Sequence, residues 1–415
     1  MRLLIGLVSY LLFCVAWPFL FFHPKLRAGY RERFGLGPRL PKGSGPRIWA
    51  HGASAGDVLA LVPTLKALKA ARPDVEIVLS TITNSGRAMA ERQHGLVNVV
   101  TYLPYDIPFA VRGALKRLAP DMLVLEYTEI WPQLILNAHD RGVRLVLHNG
   151  RFSDARINSY RRLFAFTGNL LRRFTLLLMR DDQQAENARK LGVDEHVMQT
   201  TGNTKFDNVM PDPPAEKIAE LRAAIAFPDD APIWVAGSTH EDEEEILIGV
   251  FTRLRATLPN LRMVIAPRYV ERADRVLAIA KAAGLKGKRR SHEGSGRDLV
   301  VLDTIGELAA CYALATLVFV GGSFVRRGGQ NILEPAAAGK PTIFGPFMHN
   351  FADSVQVLLG RGGIQVASPD QLERVLKDLL EREPRRRELG ELARAQALSS
   401  RGAAQRNAEL IAAVL

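Results

Sequence analysis

The chain opens on twenty consecutive uncharged positions, Leu3 to Phe22, reading LLIGLVSYLLFCVAWPFLFF. As a helix rising ~1.5 Å per residue this run covers ~30 Å, enough for a bilayer core. A cleaved signal peptide competes with that reading. Its apolar core would be shorter and a small-residue cleavage site would follow. Here the run ends in aromatics and Pro18 and continues as HPKLRAGYRERFG. The expectation is a retained anchor over residues 1–22, spanning or lying in the interface, then a basic linker over 23–46.

From Arg47 the pattern changes to short apolar runs alternating with amphipathic stretches. RIWAHG (47–52), EIVLST (76–81), NVVTYLP (98–104), MLVLE (122–126) and RLVLHN (144–149) predict strands. Between most of them lies a helix-like segment, such as Val58 to Ala71 with Leu59, Val62, Leu65 and Leu68 on one face. The pattern restarts with IWVAGS (233–238), RMVIAPR (262–268), LVVLDT (299–304), LVFVGGS (317–323) and KPTIFG (340–345). Buried strands alternating with helices predict an α/β fold with doubly wound parallel sheets. The proline-rich MPDPPAE at 210–216 reads as a linker. IWAHGASAGD and IWVAGSTHED begin the two halves alike, each a strand, a Gly/Ser loop and a helix start. Two Rossmann-like domains facing a cleft are expected, at 47–210 and 211–415.

Composition narrows the partners. The 415 residues are 47% hydrophobic and 24% charged, a packed globular chain rather than a disordered one. Cys14 and Cys311 alone cannot build a disulfide framework or a cysteine zinc site. The net charge of +12 predicts an anionic partner: nucleic acid, an anionic membrane surface or a phosphorylated substrate. Lys25, Arg27, Arg31 and Arg33 follow the apolar run and only Arg2 precedes it, which places the globular part on the cytoplasmic side. This collar suits anionic headgroups; a solvated basic linker is the blander reading.

Several loops carry candidate chemistry. Gly237, Ser238, Thr239 and His240 follow a strand and precede the acidic run Glu241 to Glu245, a place where a helix N-terminus can take a phosphate. Plain capping explains Glu241 to Glu245 better than metal ligation. No Asp-x-Asp and no Walker A sequence occurs. Gly321, Gly322, Gly328 and Gly329 let backbone approach a ligand, with Ser323 beside them. Asn331 then precedes a short helix with Glu334, a carboxylate that can accept ribose hydroxyls or merely belong to a structural turn. Asp303 to Leu308 and the pair Pro267 and Arg268 end neighbouring strands. In the first half, HGASAGD (51–57) includes Ser54, Gly56 and Asp57, its only carboxylate, either a general base or a first-turn helix acid. Glu126 and Glu129 in LEYTEIWP are candidates for binding hydroxyls; Asn149, Arg151, Ser153 and Arg156 suit an anionic group.

Taken in order, HGASAGD, EYTEIWP, NGRFSDARINSY, GNTKFDN, GSTHEDEE, APR, DTIGEL, VGGS and GGQNILEPAAAGKPTIFGP resemble the bacterial 3-deoxy-D-manno-octulosonic acid (Kdo) transferases of lipid A–core assembly. The resemblance runs from the anchor to about residue 351. It implies a GT-B fold whose C-terminal domain binds the CMP of CMP-Kdo and whose N-terminal domain binds a lipid A precursor. It places the catalytic base on Asp57 and the nucleotide contacts on Pro267 and Arg268, on Ile305, Gly306 and Glu307, and on Asn331, Ile332, Leu333 and Glu334. Ser54, Gly56, Gly237, Ser238, Thr239, Gly322 and Ser323 are donor or phosphate candidates. Glu126, Glu129, Arg151 and Ser153 are acceptor candidates. No metal or cofactor is implied, nor nucleic acid. The expected partners are CMP-Kdo, the lipid A precursor and anionic lipids, at the cytoplasmic face of the inner membrane. Two departures matter: Asp57 stands where the family usually has Glu, and Gln330 where it usually has His. They leave a related transferase of different donor or acceptor as the first alternative, and a non-catalytic lipid-binding paralogue as the second.

Overall fold

The computed structural model describes residues 2–22, 28–41, 43–208, 213–294 and 297–415. The chain forms two units, Met1–Asn208 with Arg401–Leu415, and Val209–Ser400. In the first, β1 (Arg47–His51), β2 (Glu76–Thr81), β3 (Val99–Tyr102), β4 (Met122–Glu126), β5 (Arg144–Gly150), β6 (Leu176–Met179) and β7 (Met198–Thr200) make one sheet. Its order is β3-β2-β1-β4-β5-β6-β7 with every pair parallel. Helices cover both faces, so β1 and β4 are buried along their whole length and read as unbroken apolar runs. The last two strands escaped the sequence pattern. MQT is short and polar, and LLLM follows an arginine pair without a turn signal.

The helix expected from Val58 spans Ala55–Ala71. Of the expected stripe Val62, Leu65 and Leu68 are buried, but Leu59 is 41% exposed, and Val58 and Leu61 are buried in addition. More than one stripe is buried because the helix Ala403–Ala413 packs against it, adding Ala408 and Ile411 to the same apolar cluster. The Asp207 carboxylate fixes the start of that last helix by accepting the Gly402 amide at 2.5 Å and the Ala404 amide at 2.8 Å. Arg406 donates to the Thr201 carbonyl at 2.7 Å. The expected domain 211–415 therefore loses its final segment to the first unit, a pairing between sequence-distant helices that local pattern does not encode.

The second unit carries β8 (Ile233–Thr239), β9 (Arg262–Pro267), β10 (Gly287–Arg289), β11 (Leu299–Val301), β12 (Leu317–Val320), β13 (Thr342–Phe344) and β14 (Gly363–Gln365). Their order is β10-β11-β9-β8-β12-β13-β14, again parallel throughout. Strands β11, β12 and β13 stop earlier than expected because their last residues turn out of the sheet into loops. In each sheet the order reverses beside the first strand, between β1 and β4 and between β8 and β12. Crevices outside the carboxyl ends at such points are where open α/β sheets bind ligands.

The apolar run is the helix Arg2–Phe22, long and apolar enough to cross a membrane, with about a tenth of its strongest stretch buried. Of the expected basic collar, Lys25 and Arg27 lie outside the described residues, as do positions 210–212 of the linker. Arg31 is exposed. Arg33 is not part of a collar. It is 2% exposed, donates to the Ala28 and Ile82 carbonyls, and lies 4.4 Å from the centre of the Tyr102 ring.

Asp106 joins two elements of the first unit, accepting the Gln133 and Leu134 amides at 3.0 and 2.9 Å in the first turn of Pro132–His139. Burial pushes its carboxyl up to about 6, against the two amides that pull it down. The folded chain therefore holds this proton more tightly than the unfolded chain. Stability from this group is fullest below pH 4 and falls as pH rises to about 6. Asp106→Asn removes the charge and keeps one acceptor oxygen for one of the two amides, so that, like the protonated acid, it turns a donor toward the other. Between pH 4 and pH 8 the stability difference between variant and wild type is expected to move by on the order of 1–3 kcal/mol in the variant's favour, read by urea denaturation at both values.

Candidate active site

In the first unit the chain leaves β1 at His51 and turns at Gly52 against the backbone of Asp57, where a Cβ would lie 3.0 Å from the Asp57 carbonyl carbon. Ser54 caps the helix Ala55–Ala71, and Asp57 Oδ2 accepts both the Ser54 amide and its hydroxyl at 2.8 Å. This is a capping box, with Asp in the third helical position. Asp57 Oδ1 takes no hydrogen bond among the described residues. Gly56 is exposed and has open space beside it.

Across the switch point stands Glu129. His51 is fully buried, its Nδ1 3.0 Å from both the carbonyl and the hydroxyl of Ser80. Its Nε2 has no hydrogen-bond partner and faces Glu129 Oε2 at 3.6 Å. That same oxygen accepts the Trp131 indole N–H at 2.7 Å. The motifs HGASAGD and EYTEIWP thus meet at one crevice.

Glu126 does not meet the acceptor expectation. It is wholly buried, with Oε2 on His148 Nδ1 at 2.5 Å and Oε1 accepting Asn149 at 2.8 Å. His148 Nε2 reaches Thr64 at 2.8 Å. Asn149 also donates to Thr204, which donates on to the Ala60 carbonyl at 2.7 Å. A carboxylate so enclosed has no face for a substrate. Arg151 is exposed and Ser153 half-buried; Phe152 between them is buried, and its carbonyl accepts Asn187 at 2.7 Å.

In the second unit β8 bulges against β9 at Ser238, which has φ 56°. Ser238 hydrogen-bonds the buried Tyr312 phenol, whose ionisation burial pushes well above its usual value. Tyr312 also explains Gly237, where a Cβ would fall 2.1 Å from the phenol oxygen. The acidic run that follows starts the helix Glu243–Thr257. Glu243 is completely buried and accepts the amides of His240 at 2.7 Å, Gly322 at 2.5 Å and Phe324 at 3.4 Å. Burial raises its pKa and these amides oppose the rise. Glu244 is equally buried and pairs with Arg272 at 2.7 Å.

Several phosphate candidates are therefore committed inside the fold. Thr239 and Ser323 are fully buried. Ser323 donates to the Val320 carbonyl and accepts the Gly345 amide at 2.9 Å. The Gly322 amide belongs to Glu243. These residues shape the loops rather than present donors. Ile332 and Leu333 are core side chains, leaving only backbone for a ligand.

What faces outward is cationic. His240 Nε2 lies 3.3 Å from Gln330 Nε2, and burial together with Arg327, Arg268 and Arg272 lowers its pKa. Pro267 is buried and Arg268 exposed; the Arg268 amide is tied to the Thr239 carbonyl at 2.8 Å. Asn331 donates to Glu334 at 3.0 Å and accepts the Leu333 amide at 3.0 Å. Burial raises the Glu334 carboxyl and the Asn331 bond moderates it. Ile305 is 90% exposed beside Gly306 (φ 90°), while Glu307 is paired to Arg290 at 2.8 Å and accepts Thr304. Arg272, Arg327 and Tyr312 were not singled out by the sequence. Arg327 had a signal, lying between two quoted glycine pairs; Tyr312, inside a helix, had none.

Residues 28–208 match a family described as 3-Deoxy-D-manno-octulosonic-acid transferase (kdotransferase). The 3-deoxy-D-manno-octulosonic acid transferase of Haemophilus influenzae is 31% identical over 393 residues, 94% of this chain and 92% of that protein. The enzyme of the same name from Bordetella pertussis is 33% identical over 398 residues, 91% and 90% of the two chains. Among solved structures, UDP-GlcNAc 2-epimerase from Neisseria meningitidis aligns with TM-score 0.59 over 88% of this chain and 98% of its own, at 11% identity. That likeness concerns the fold alone, the two-unit GT-B class. The relatives decide the chemistry: the chain belongs to the 3-deoxy-D-manno-octulosonic acid transferase family and is a glycosyltransferase of lipopolysaccharide biosynthesis.

Proposed function

We propose that this glycosyltransferase moves Kdo from CMP-Kdo to a lipid A precursor at the cytoplasmic face of the inner membrane. The observation that carries the reading is the exposed Arg268 at the carboxyl end of β9, its amide tied to Thr239 at the end of β8, with His240 beside Gln330 and so next to the hydrogen-bonded pair Asn331 and Glu334. Guanidinium groups suit a phosphodiester donor, and a carboxylate beside them suits a ribose. Asp57 is the proposed base, using the oxygen its capping box leaves unengaged. It takes the proton of a glucosamine hydroxyl as that oxygen bonds to the anomeric carbon. The bond from that carbon to the phosphate breaks, and CMP departs with the electron pair. A single displacement inverts the centre. Glu129 beside His51, with Arg151 and Ser153 after β5, is proposed to meet the acceptor.

Incubation with CMP-Kdo and tetraacyl lipid A precursor, read by mass spectrometry, tests donor and acceptor together. Addition of Kdo mass is expected. Transfer from another nucleotide sugar, with CMP-Kdo left intact, would replace this reading with the related-transferase alternative. Calorimetry with CMP separates both from a lipid-binding protein.

Two substitutions address the roles. Glu334→Ala is expected to weaken CMP binding roughly ten- to hundredfold, or ~1.5–3 kcal/mol, with an unchanged circular dichroism spectrum. Unaltered CMP affinity would move the ribose site elsewhere. Asp57→Asn keeps an oxygen for the Ser54 amide and hydroxyl and removes the base. Turnover should fall ~10²–10⁴-fold while CMP affinity and melting temperature hold. Turnover within about threefold of wild type in single-turnover kinetics would leave Asp57 with the cap alone.

A further inference from the structure

The contacts of the helix Arg2–Phe22 bear on how it meets a membrane. One stripe of it touches the first unit from Arg2 to Trp17. Arg2 pairs with Asp140 at 2.7 Å. Ile5 is 3% exposed, and at Gly6 a Cβ would come to 3.3 Å from the Pro108 ring. The Ser9 hydroxyl accepts Gln133 at 3.0 Å. Phe13 and Trp17 lie against Tyr105, with ring centres 5.0 and 6.2 Å apart, and against Phe34 at 6.0 and 5.4 Å. Positions 2, 5, 6, 9, 13 and 17 form one helical face, held over ~22 Å of axis at ~1.5 Å per residue. The opposite face, with Leu4, Leu7, Leu11, Val15 and Phe19, is exposed and wholly apolar.

A helix fastened along its length cannot stand across a bilayer without drawing the docked surface in with it. That surface carries the Arg2–Asp140 pair, Asn137 bonded to Gln133, and the exposed Arg112 and Arg141 that donate to Asn137. Hydrocarbon excludes such groups. A helix lying in the interface normally turns a charged face to water. Here the first unit covers that side, which accounts for a sequence apolar all round. Phe109, whose backbone amide donates to the Tyr10 hydroxyl at 3.1 Å, adds a ring 57% exposed beside the helix. Arg112 and Lys116, exposed on the next two turns, supply a basic rim for anionic headgroups.

We propose that the helix Arg2–Phe22 does not cross the bilayer but lies in the plane of one leaflet, docked along the first unit, with its outer stripe among the acyl chains. This rests on the membrane location proposed above.

The test uses full-length protein with Cys14→Ser, since Cys311 is buried. Single cysteines replace Leu4, Leu11, Val15 or Phe19 and carry an environment-sensitive fluorophore, on vesicles of phosphatidylethanolamine and phosphatidylglycerol. Quenching by lipids spin-labelled at different depths should place all four labels at one shallow level, ~5–10 Å below the headgroups. A depth graded over ~20 Å along the series, as a spanning helix of this rise gives, would overturn the inference while leaving the membrane location intact. Emission unchanged by vesicles would overturn the membrane location and the inference with it. In a second arm, Ser9→Cys with Gln133→Cys should cross-link through a short bismaleimide equally in detergent and in vesicles. Loss of the cross-link only in vesicles would show that the helix leaves the unit on meeting lipid, and would overturn the docking.

Discussion

The loops of the second unit depend on one buried carboxylate. Glu243 draws in amides from the turn after β8 and from the turn after β12, so two strand ends on either side of the switch point share a single acceptor. Removing that charge from water is costly unless donors replace the solvent; three amides do so, and the loops become rigid as a result. Gly321 follows from this, because a Cβ there would stand 2.6 Å from Glu243 Oε1. The first unit repeats the device with Glu126, which ties His148 and Asn149 across β4 and β5 and reaches the helix Ala55–Ala71 through Thr64 and Thr204. Both frames are buried polar networks whose members are mutually satisfied, the condition under which such networks rigidify rather than weaken a core.

With the frames consumed internally, the polar side chains left to face outward lie one step further out. Arg268, Arg327, Gln330 and Glu334 stand at the edge of the Glu243 frame, and Asp57, Glu129 and Arg151 at the edge of the Glu126 frame. A fold shared with an epimerase at 11% identity is consistent with this division, since strand ends and loops can change while the sheet persists.

The sequence conveyed the fold where burial writes a simple code. Strands such as β1, β4 and β8 are covered on both faces and appear as apolar runs; β10 (GKR) and β7 (MQT) are short, polar edge strands and do not. Motif residues were legible as motifs, yet their roles depended on contacts that spacing cannot express. Glu126 and Glu129 sit three positions apart, and one is walled in while the other faces a crevice. Arg33 looked like part of a basic collar because its partner ring, Tyr102, is far along the chain. Asp207, within GNTKFDN, caps a helix nearly two hundred positions later. Each failure has one cause: a side chain's function was set by a partner distant in sequence.

The return of the last helix has a consequence for how the chain is made. The second unit is an insertion within the first, and the outer side of the helix Ala55–Ala71 is covered by residues 403–413. At ~5–20 residues per second a ribosome needs on the order of half a minute to travel from one to the other. Through that interval the first sheet and its cluster around Leu61 and Leu65 lack a wall. The inserted unit, closed on itself, can complete its core first. The half that emerges earliest is the last to have all of its core residues at hand.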